Sequence, residues 1–323
     1  MAIEMIPPTT APDFLARNGW AGAEIVPLAG DASFRRYFRV VRQEQTAVLM
    51  DAPPEHEDSR PFLQIARHLD ATGFRAPRVL AEDLDLGLIL LEDFGDARMK
   101  EEIDLDPALE LPLYEQAIDL LVDLHRQPSG AIPPYDMEVY QREVGLFPEW
   151  YAPAVGIDVD EAGYRAAWDA VLRAIALDQS VTVLRDYHAE NIMRLDDGRL
   201  GLLDFQDALA GHPAYDLVSL LQDARRDVSA EVELAMLWRY QASRPIDIAA
   251  YAVLGAQRNA KILGIFTRLW KRDGKPRYLQ YQPRVWAYLE RDLAHPALKP
   301  VARWFDANVP YAKRAAAWEN TPA

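Results

Sequence analysis

No cysteine occurs anywhere in the 323 residues. That excludes disulfides, thiolate metal sites and cysteine nucleophiles together, and it fits a reducing compartment. Long apolar runs are missing too. The longest, residues 248–256, falls far short of the roughly 20 residues needed to cross a bilayer. Residues 1–10 carry Glu4, Pro7 and Pro8 where an export signal needs a basic start and an apolar stretch. A cytoplasmic location is therefore expected. Positive charge is scarce. Against 35 Lys and Arg stand 50 Asp and Glu, for a net charge of −15 and a pI near 4.9. Such a surface repels phosphate backbones and anionic lipid, so neither nucleic acid nor a membrane is an expected partner. Nothing marks an obligate protein partner.

Several motifs are absent as well. No G-x-x-x-x-G-K-[ST] is found, which disfavours a P-loop kinase. No G-x-G-x-x-G follows a strand, which disfavours a Rossmann dehydrogenase. His125, His188, Asp204 and Asp207 are metal-capable types, but no H-E-x-x-H or comparable spacing supports a metal hydrolase.

What remains is 50% hydrophobic and 26% charged, close to an ordinary globular protein of two domains or one large one. Short β-branched and aromatic runs at residues 24–28, 37–41, 46–50, 79–80 and 88–91 read as strands. Phe62, Ile65, Ala66 and Leu69 fall at helical spacing over residues 60–71. Beyond a connector at residues 92–96, apolar stripes such as Leu113, Ala117, Leu120, Leu121 and Leu124 mark helices. Helical texture breaks at residues 181–203, which read strand, loop, strand, turn, strand, with Asp197-Gly198 as the hairpin turn. The expectation is an α+β chain. Residues 1–95 would form a mainly antiparallel sheet unit, and residues 96–323 a larger helical one.

The block with chemical content is Leu184-Arg185-Asp186-Tyr187-His188-Ala189-Glu190-Asn191, followed by Leu203-Asp204-Phe205-Gln206-Asp207. Asp186 and Asn191 are five residues apart, and Asp204 follows Asn191 by 13. The predicted hairpin can bring Asn191 and Asp204 near one point. Phosphoryl transfer from ATP needs a carboxylate to take the proton of the attacking hydroxyl. It also needs an amide oxygen and a second carboxylate to hold magnesium. The spacing follows the kinase form H-R-D-x-x-x-x-N and D-F-G, written here L-R-D-Y-H-A-E-N and D-F-Q.

This order resembles the aminoglycoside phosphotransferase and choline kinase superfamily, which implies a protein-kinase-like fold of two lobes. The superfamily's usual H-G-D start is L-R-D here. Longer segments are similar to the bacterial anomeric sugar kinases. These enzymes phosphorylate N-acetylmuramate and N-acetylglucosamine at C1 in peptidoglycan recycling. The segments are Gly30-Asp31-Ala32-Ser33-Phe34-Arg35-Arg36-Tyr37-Phe38-Arg39, Met50-Asp51-Ala52-Pro53-Pro54, Arg142-Glu143-Val144, Leu146-Phe147-Pro148-Glu149-Trp150-Tyr151, and Arg272-Asp273-Gly274-Lys275-Pro276-Arg277-Tyr278-Leu279. They run from about residue 29 to 290, nearly the whole chain.

The resemblance implies ATP and Mg2+ as cofactors and an amino sugar as acceptor, with residues 1–95 as the nucleotide-binding lobe. It implies Asp186 as catalytic base and Asn191 and Asp204 as metal ligands. Ser33, Phe34 and Arg35 correspond to the loop over the phosphates, and Glu92 and Phe94 to the segment contacting adenine. The usual strand lysine is replaced by Met50, leaving Arg35, Arg36 or Arg39 to supply the charge. Arg185, His188 and Asp216 are expected to support the catalytic loop. Asp207, Arg142, Glu143 and Arg258 are the expected sugar contacts, with Lys261, Trp150 and Tyr151 offering further suitable types. Either Arg142 or Arg258 would suit the lactyl carboxylate of N-acetylmuramate. A kinase for another small alcohol, of aminoglycoside or choline type, and a pseudokinase-like nucleotide-binding module stand as alternatives.

Overall fold

The computed structural model describes residues 6–28 and 34–318. Ser33, expected at the phosphates, lies outside the described residues. Two compact units are present: Met1–Glu101 with Glu190–Asp207, and Glu102–Ala189 with Ala208–Ala323. The sequence suggests a boundary at residue 95. Packing counts residues 96–101 and the 190–207 hairpin with the first unit. The reason is backbone pairing: bridges join Arg75 to Gly201 and Arg98 to Met193, and Arg194 N–H donates to Ala97 O at 2.7 Å.

The first unit is built on a five-stranded antiparallel sheet: β1 (Glu24–Pro27), β2 (Arg36–Arg42), β3 (Gln45–Asp51), β4 (Val79–Asp83) and β5 (Leu88–Glu92), in spatial order β1-β2-β3-β5-β4. Alternation along the strands decides which side is buried against what. Phe38 and Val40 of β2, Ala47 and Leu49 of β3, and Leu88 and Leu90 of β5 share one face. They form a core with Ala11, Phe14 and Leu15 of the helix Ala11–Arg17. The helix Arg60–Ala71 begins with Pro61 in its first turn, where a missing N–H costs nothing, and buries Phe62, Leu63, Ile65, Ala66 and Leu69.

Gly87 ties β3 to β5. Its φ is +68°, and its carbonyl accepts from Ala52 N–H at 2.8 Å. A Cβ here would lie 2.2 Å from Ala52 O, so the position tolerates only glycine.

The second unit is mainly helical. Its centre is the 24-residue helix Ile248–Lys271, which absorbs the longest apolar run of the sequence. The strand β6 (Val181–Val183) is as expected, but its partner β9 (Leu209–Gly211) escapes sequence reading. The hairpin β7 (Ile192–Arg194) and β8 (Leu200–Leu202) is as expected, with Gly198 at φ +80° in its turn. The helix Met137–Val144 and the wide turn Phe147–Tyr151 form the segment that the sequence presents only as a motif. Among the described residues, no helix is long and apolar enough to cross a membrane.

Gly87→Ala is expected to destabilise the first unit by about 2 kcal/mol or more, through left-handed backbone strain and the clash with Ala52. Thermal unfolding compared with a loop glycine facing open space, Gly95→Ala, checks this. An equal loss in both variants would leave only the φ effect.

Candidate active site

The catalytic-loop segment sits in the second unit and is held from behind by one carboxylate. Asp216 lies in the first turn of the helix Ala214–Leu221 and is fully buried. Its Oδ2 accepts from Leu184 N–H at 2.6 Å and its Oδ1 from Arg185 N–H at 2.9 Å. Burial pushes this carboxyl up to about 7, opposed by the two backbone donors. The loop then turns sharply: Asp186 N–H donates to Leu184 O at 2.9 Å and His188 N–H to Asp186 O at 3.1 Å. Arg185 has φ +71°, in the left-handed region that glycine favours. This is the position where the superfamily pattern has the glycine of H-G-D.

Arg185 remains there because its side chain is anchored. Its guanidinium donates to Glu143 Oε1. Lys261 Nζ donates to the same oxygen at 2.9 Å. Glu143 Oε2 accepts from Gln257 Nε2 at 3.0 Å and from the Tyr135 hydroxyl. Burial would raise the Glu143 carboxyl, but Lys261 and Arg185 outweigh it and hold it at about 2. Glu143, expected on the sugar, thus has both oxygens occupied by protein donors. Arg142, its neighbour, is exposed, since adjacent helical residues point about 100° apart. Lys261 also donates to Tyr215 Oη at 3.3 Å.

His188 is buried. Its Nε2 lies 3.1 Å from Arg225 Nη1. Burial and the nearby guanidinium groups of Arg225 and Arg258, opposed by Asp223, hold its ring at about 3, so it is neutral. His125 sits elsewhere in this unit, with Nδ1 2.7 Å from Tyr240 Oη. Among the described residues, no three His, Asp or Glu side chains gather as a metal-binding group. Tyr151, a candidate sugar contact, is core. Its hydroxyl receives Trp286 Nε1 and Trp318 Nε1, each at 2.8 Å.

In the first unit, the hairpin does bring the two expected metal ligands together. Asn191 Nδ2 lies 3.4 Å from Asp204 Oδ2, and Leu203 N–H donates to Asn191 O at 2.9 Å. Asp204 has φ +55°. Its Oδ1 accepts from Gln206 Nε2 at 2.8 Å. Gln206 stands where D-F-G has glycine, and the sequence offers no sign that its amide clamps the preceding carboxylate. It is the Asn191 amide nitrogen that faces the carboxylate; an amide and a carboxylate side by side still carry the hard oxygen donors that magnesium takes with phosphate oxygens and water, so these residue types fit the ion. Asp207 is exposed and lies within 3.5 Å of the Gln206 amide.

Each arginine proposed to replace the strand lysine has a carboxylate partner: Arg35 with Glu57, Arg36 with Asp51, and Arg39 with Asp93 and Asp96. Arg35 is the most buried of the three. Met50 is fully buried in β3. Phe34 is 65% exposed and stacks on His56 with ring centres 5.0 Å apart. The Glu92 carboxylate is engaged by Arg75 at 2.7 Å and Arg78 at 3.1 Å. Phe94 lies under the Arg75 guanidinium and packs closely on Gly201. Arg75, which sequence reading did not single out, thus orders both residues of the connector.

Glu143→Gln leaves Lys261 and Arg185 buried beside a neutral amide, and a loss of about 3 kcal/mol near neutral pH is expected. The folded pKa lies below the unfolded one. The stabilisation by the carboxylate is therefore full above about 4.5 and disappears as pH falls toward 2. Urea unfolding of both proteins at pH 7 and pH 3 checks this, the difference shrinking at the lower pH.

Residues 24–254 match the phosphotransferase enzyme family APH. The N-acetylmuramate/N-acetylglucosamine kinase of Caulobacter vibrioides is 39% identical, over 93% of this chain and 96% of that protein. The protein of the same name from Pseudomonas aeruginosa is 38% identical, over 88% of each. Among solved structures, a spectinomycin phosphotransferase in complex with ADP and its antibiotic superposes with a TM-score of 0.66 at 11% identity, covering 93% of this chain and 98% of that one. A choline kinase from Streptococcus pneumoniae gives 0.60 at 13% identity, covering 87% and 94%. At such identities these two neighbours show the fold alone, and the fold they share is kinase-like. The family match and the curated relatives together establish that the chain belongs to the APH phosphotransferase enzyme family.

Proposed function

We propose that the chain is an ATP-dependent sugar kinase that phosphorylates the C1 hydroxyl of N-acetylmuramate or N-acetylglucosamine in cell-wall recycling. The observation that carries this reading is the ordered set Asp186, Asn191 and Asp204. The loop before Asp186 is pinned by Asp216, and Asn191 and Asp204 adjoin one another. The names of the relatives at 37–39% identity support the choice of acceptor.

Asp186 orients the C1 hydroxyl and takes its proton late in the transfer. The sugar oxygen forms its bond to the γ-phosphorus as the bond to the β–γ bridging oxygen breaks and ADP leaves. Asn191 and Asp204 would hold Mg2+, which, when bound, neutralises charge on the phosphate oxygens. Gln206 fixes the Asp204 carboxylate. On the nucleotide side, backbone groups of residues 92–94 meet adenine, while Ser33 and Phe34 serve the phosphates. Arg35, braced by Glu57, supplies the positive charge that Met50 lacks. Arg185, His188 and Asp216 shape the loop rather than touch the reacting atoms.

Purified protein with ATP and magnesium should release ADP with either amino sugar, and phosphorus NMR should identify a sugar 1-phosphate. Asp186→Ala is expected to lower kcat by about 10^3-fold, within the usual range for a positioned base. Failure of the wild-type protein to phosphorylate either sugar, with choline or an aminoglycoside accepted instead, would replace this reading by the kinase for another alcohol.

Arg35→Gln is expected to raise the KM for ATP about tenfold and to change the KM for sugar little. A steady-state series at fixed saturating sugar measures this, and an unchanged KM for ATP would return the missing charge to Arg36 or Arg39.

A further inference from the structure

Two charged side chains in the second unit are buried and lack partners at the atoms that matter. Arg258, on the helix Ile248–Lys271, is 4% exposed, and its Nη1 has no hydrogen-bond partner among the described residues. Asp223, in the turn after the helix Ala214–Leu221, is 1% exposed. Its Oδ1 accepts from Arg225 N–H at 2.8 Å, while its Oδ2 has no partner among the described residues. A buried guanidinium stays charged, and a buried carboxylate oxygen without a donor is costly. Arg258 thus keeps one donor unused and Asp223 one acceptor, beside other buried polar atoms of this unit such as Gln257 Oε1 and Asn259 Oδ1.

They belong to one neighbourhood. Gln222, next to Asp223, accepts from Asn259, next to Arg258, at 2.7 Å. Arg284 Nη1 fastens the same turn by donating to Ala224 O at 3.0 Å. The turn reaches the catalytic loop through Arg225, which meets His188 Nε2 at 3.1 Å, and His188 N–H donates to Asp186 O. The charges of Asp223 and Arg258 both act on the His188 ring.

We infer that Asp223 and Arg258 are the acceptor-reading pair of this enzyme: Asp223 Oδ2 takes a sugar hydroxyl, and the Arg258 guanidinium takes the lactyl carboxylate of N-acetylmuramate. This rests on the sugar kinase reading above and adds what selects between the two amino sugars. A carboxylate satisfies the guanidinium in charge and in hydrogen bonding. N-acetylglucosamine, without the lactyl group, leaves it unsatisfied. Asp223 serves both sugars, because both carry hydroxyls.

The test compares kcat/KM for N-acetylmuramate, its methyl ester and N-acetylglucosamine, in the wild-type protein and in Arg258→Gln and Asp223→Asn. The wild type should prefer the acid over the ester by at least tenfold. Arg258→Gln should bring acid and ester within twofold, mainly through KM. Asp223→Asn should raise KM for both sugars about tenfold and keep the acid preference. A ratio of acid to ester that is the same in wild type and Arg258→Gln would overturn the role of Arg258. An unchanged KM in Asp223→Asn would overturn that of Asp223. Should Arg258→Gln fail to fold, Arg258→Lys and the wild-type acid-to-ester ratio still decide: a wild-type ratio near one excludes a carboxylate reader. Wild-type protein inactive on all three sugars would instead sink the sugar kinase reading itself.

Discussion

Two backbone N–H groups donated to one buried carboxylate hold the geometry of the catalytic loop. Asp216 receives Leu184 and Arg185, and this forces the chain to turn just before Asp186. The price is a carboxyl pushed up to about 7 by its surroundings. Without those donors the turn would have to find other partners for two amides that sit in or next to a buried strand end, β6. The backbone is thereby fixed immediately before the half-buried Asp186.

The left-handed backbone at Arg185 is the second consequence. In a glycine this conformation is free of strain; in arginine it costs on the order of 1–3 kcal/mol. The gain is a guanidinium that reaches Glu143, which Lys261, Gln257 and Tyr135 also bind. A buried ion cluster contributes little net stability by itself, because desolvation offsets attraction. Its effect here is specificity of conformation: Arg185, the helix Met137–Val144 and the helix Ile248–Lys271 share one carboxylate, so none can shift alone. The loop substitution relative to H-G-D and the buried Glu143 are thus parts of one device.

A parallel device operates at the hairpin in the first unit. Asp204 also takes a left-handed backbone, and Gln206 grips its carboxylate from two residues on. Glutamine in place of the D-F-G glycine gives up backbone freedom and gains a side-chain amide. Both departures from the kinase pattern, Arg185 and Gln206, replace a permissive residue by one that ties itself down.

Much of this was legible in residue order. The strands of the sheet, the helix at 60–71, the hairpin turn at Asp197-Gly198 and the order Asp186, Asn191, Asp204 all rest on local periodicity and short loops, which a linear chain expresses directly. The strand Leu209–Gly211 escaped because three residues carry no period and its partner is 26 residues earlier. Only the tertiary structure could show that Glu143 is saturated while Arg142 beside it faces solvent, since the phase of a short helix is set by what packs on it. The same holds for Tyr151, whose ring belongs to an aromatic core, and for the carboxylates that claim Arg35, Arg36 and Arg39. Sequence by itself determined the phosphotransferase class, because the spacing of Asp186, Asn191 and Asp204 is a local property. Tertiary packing decided which charged side chains pair with each other and which, like Asp223 and Arg258, keep a buried atom without a partner among the described residues, because pairing in a folded protein joins residues that sequence keeps far apart.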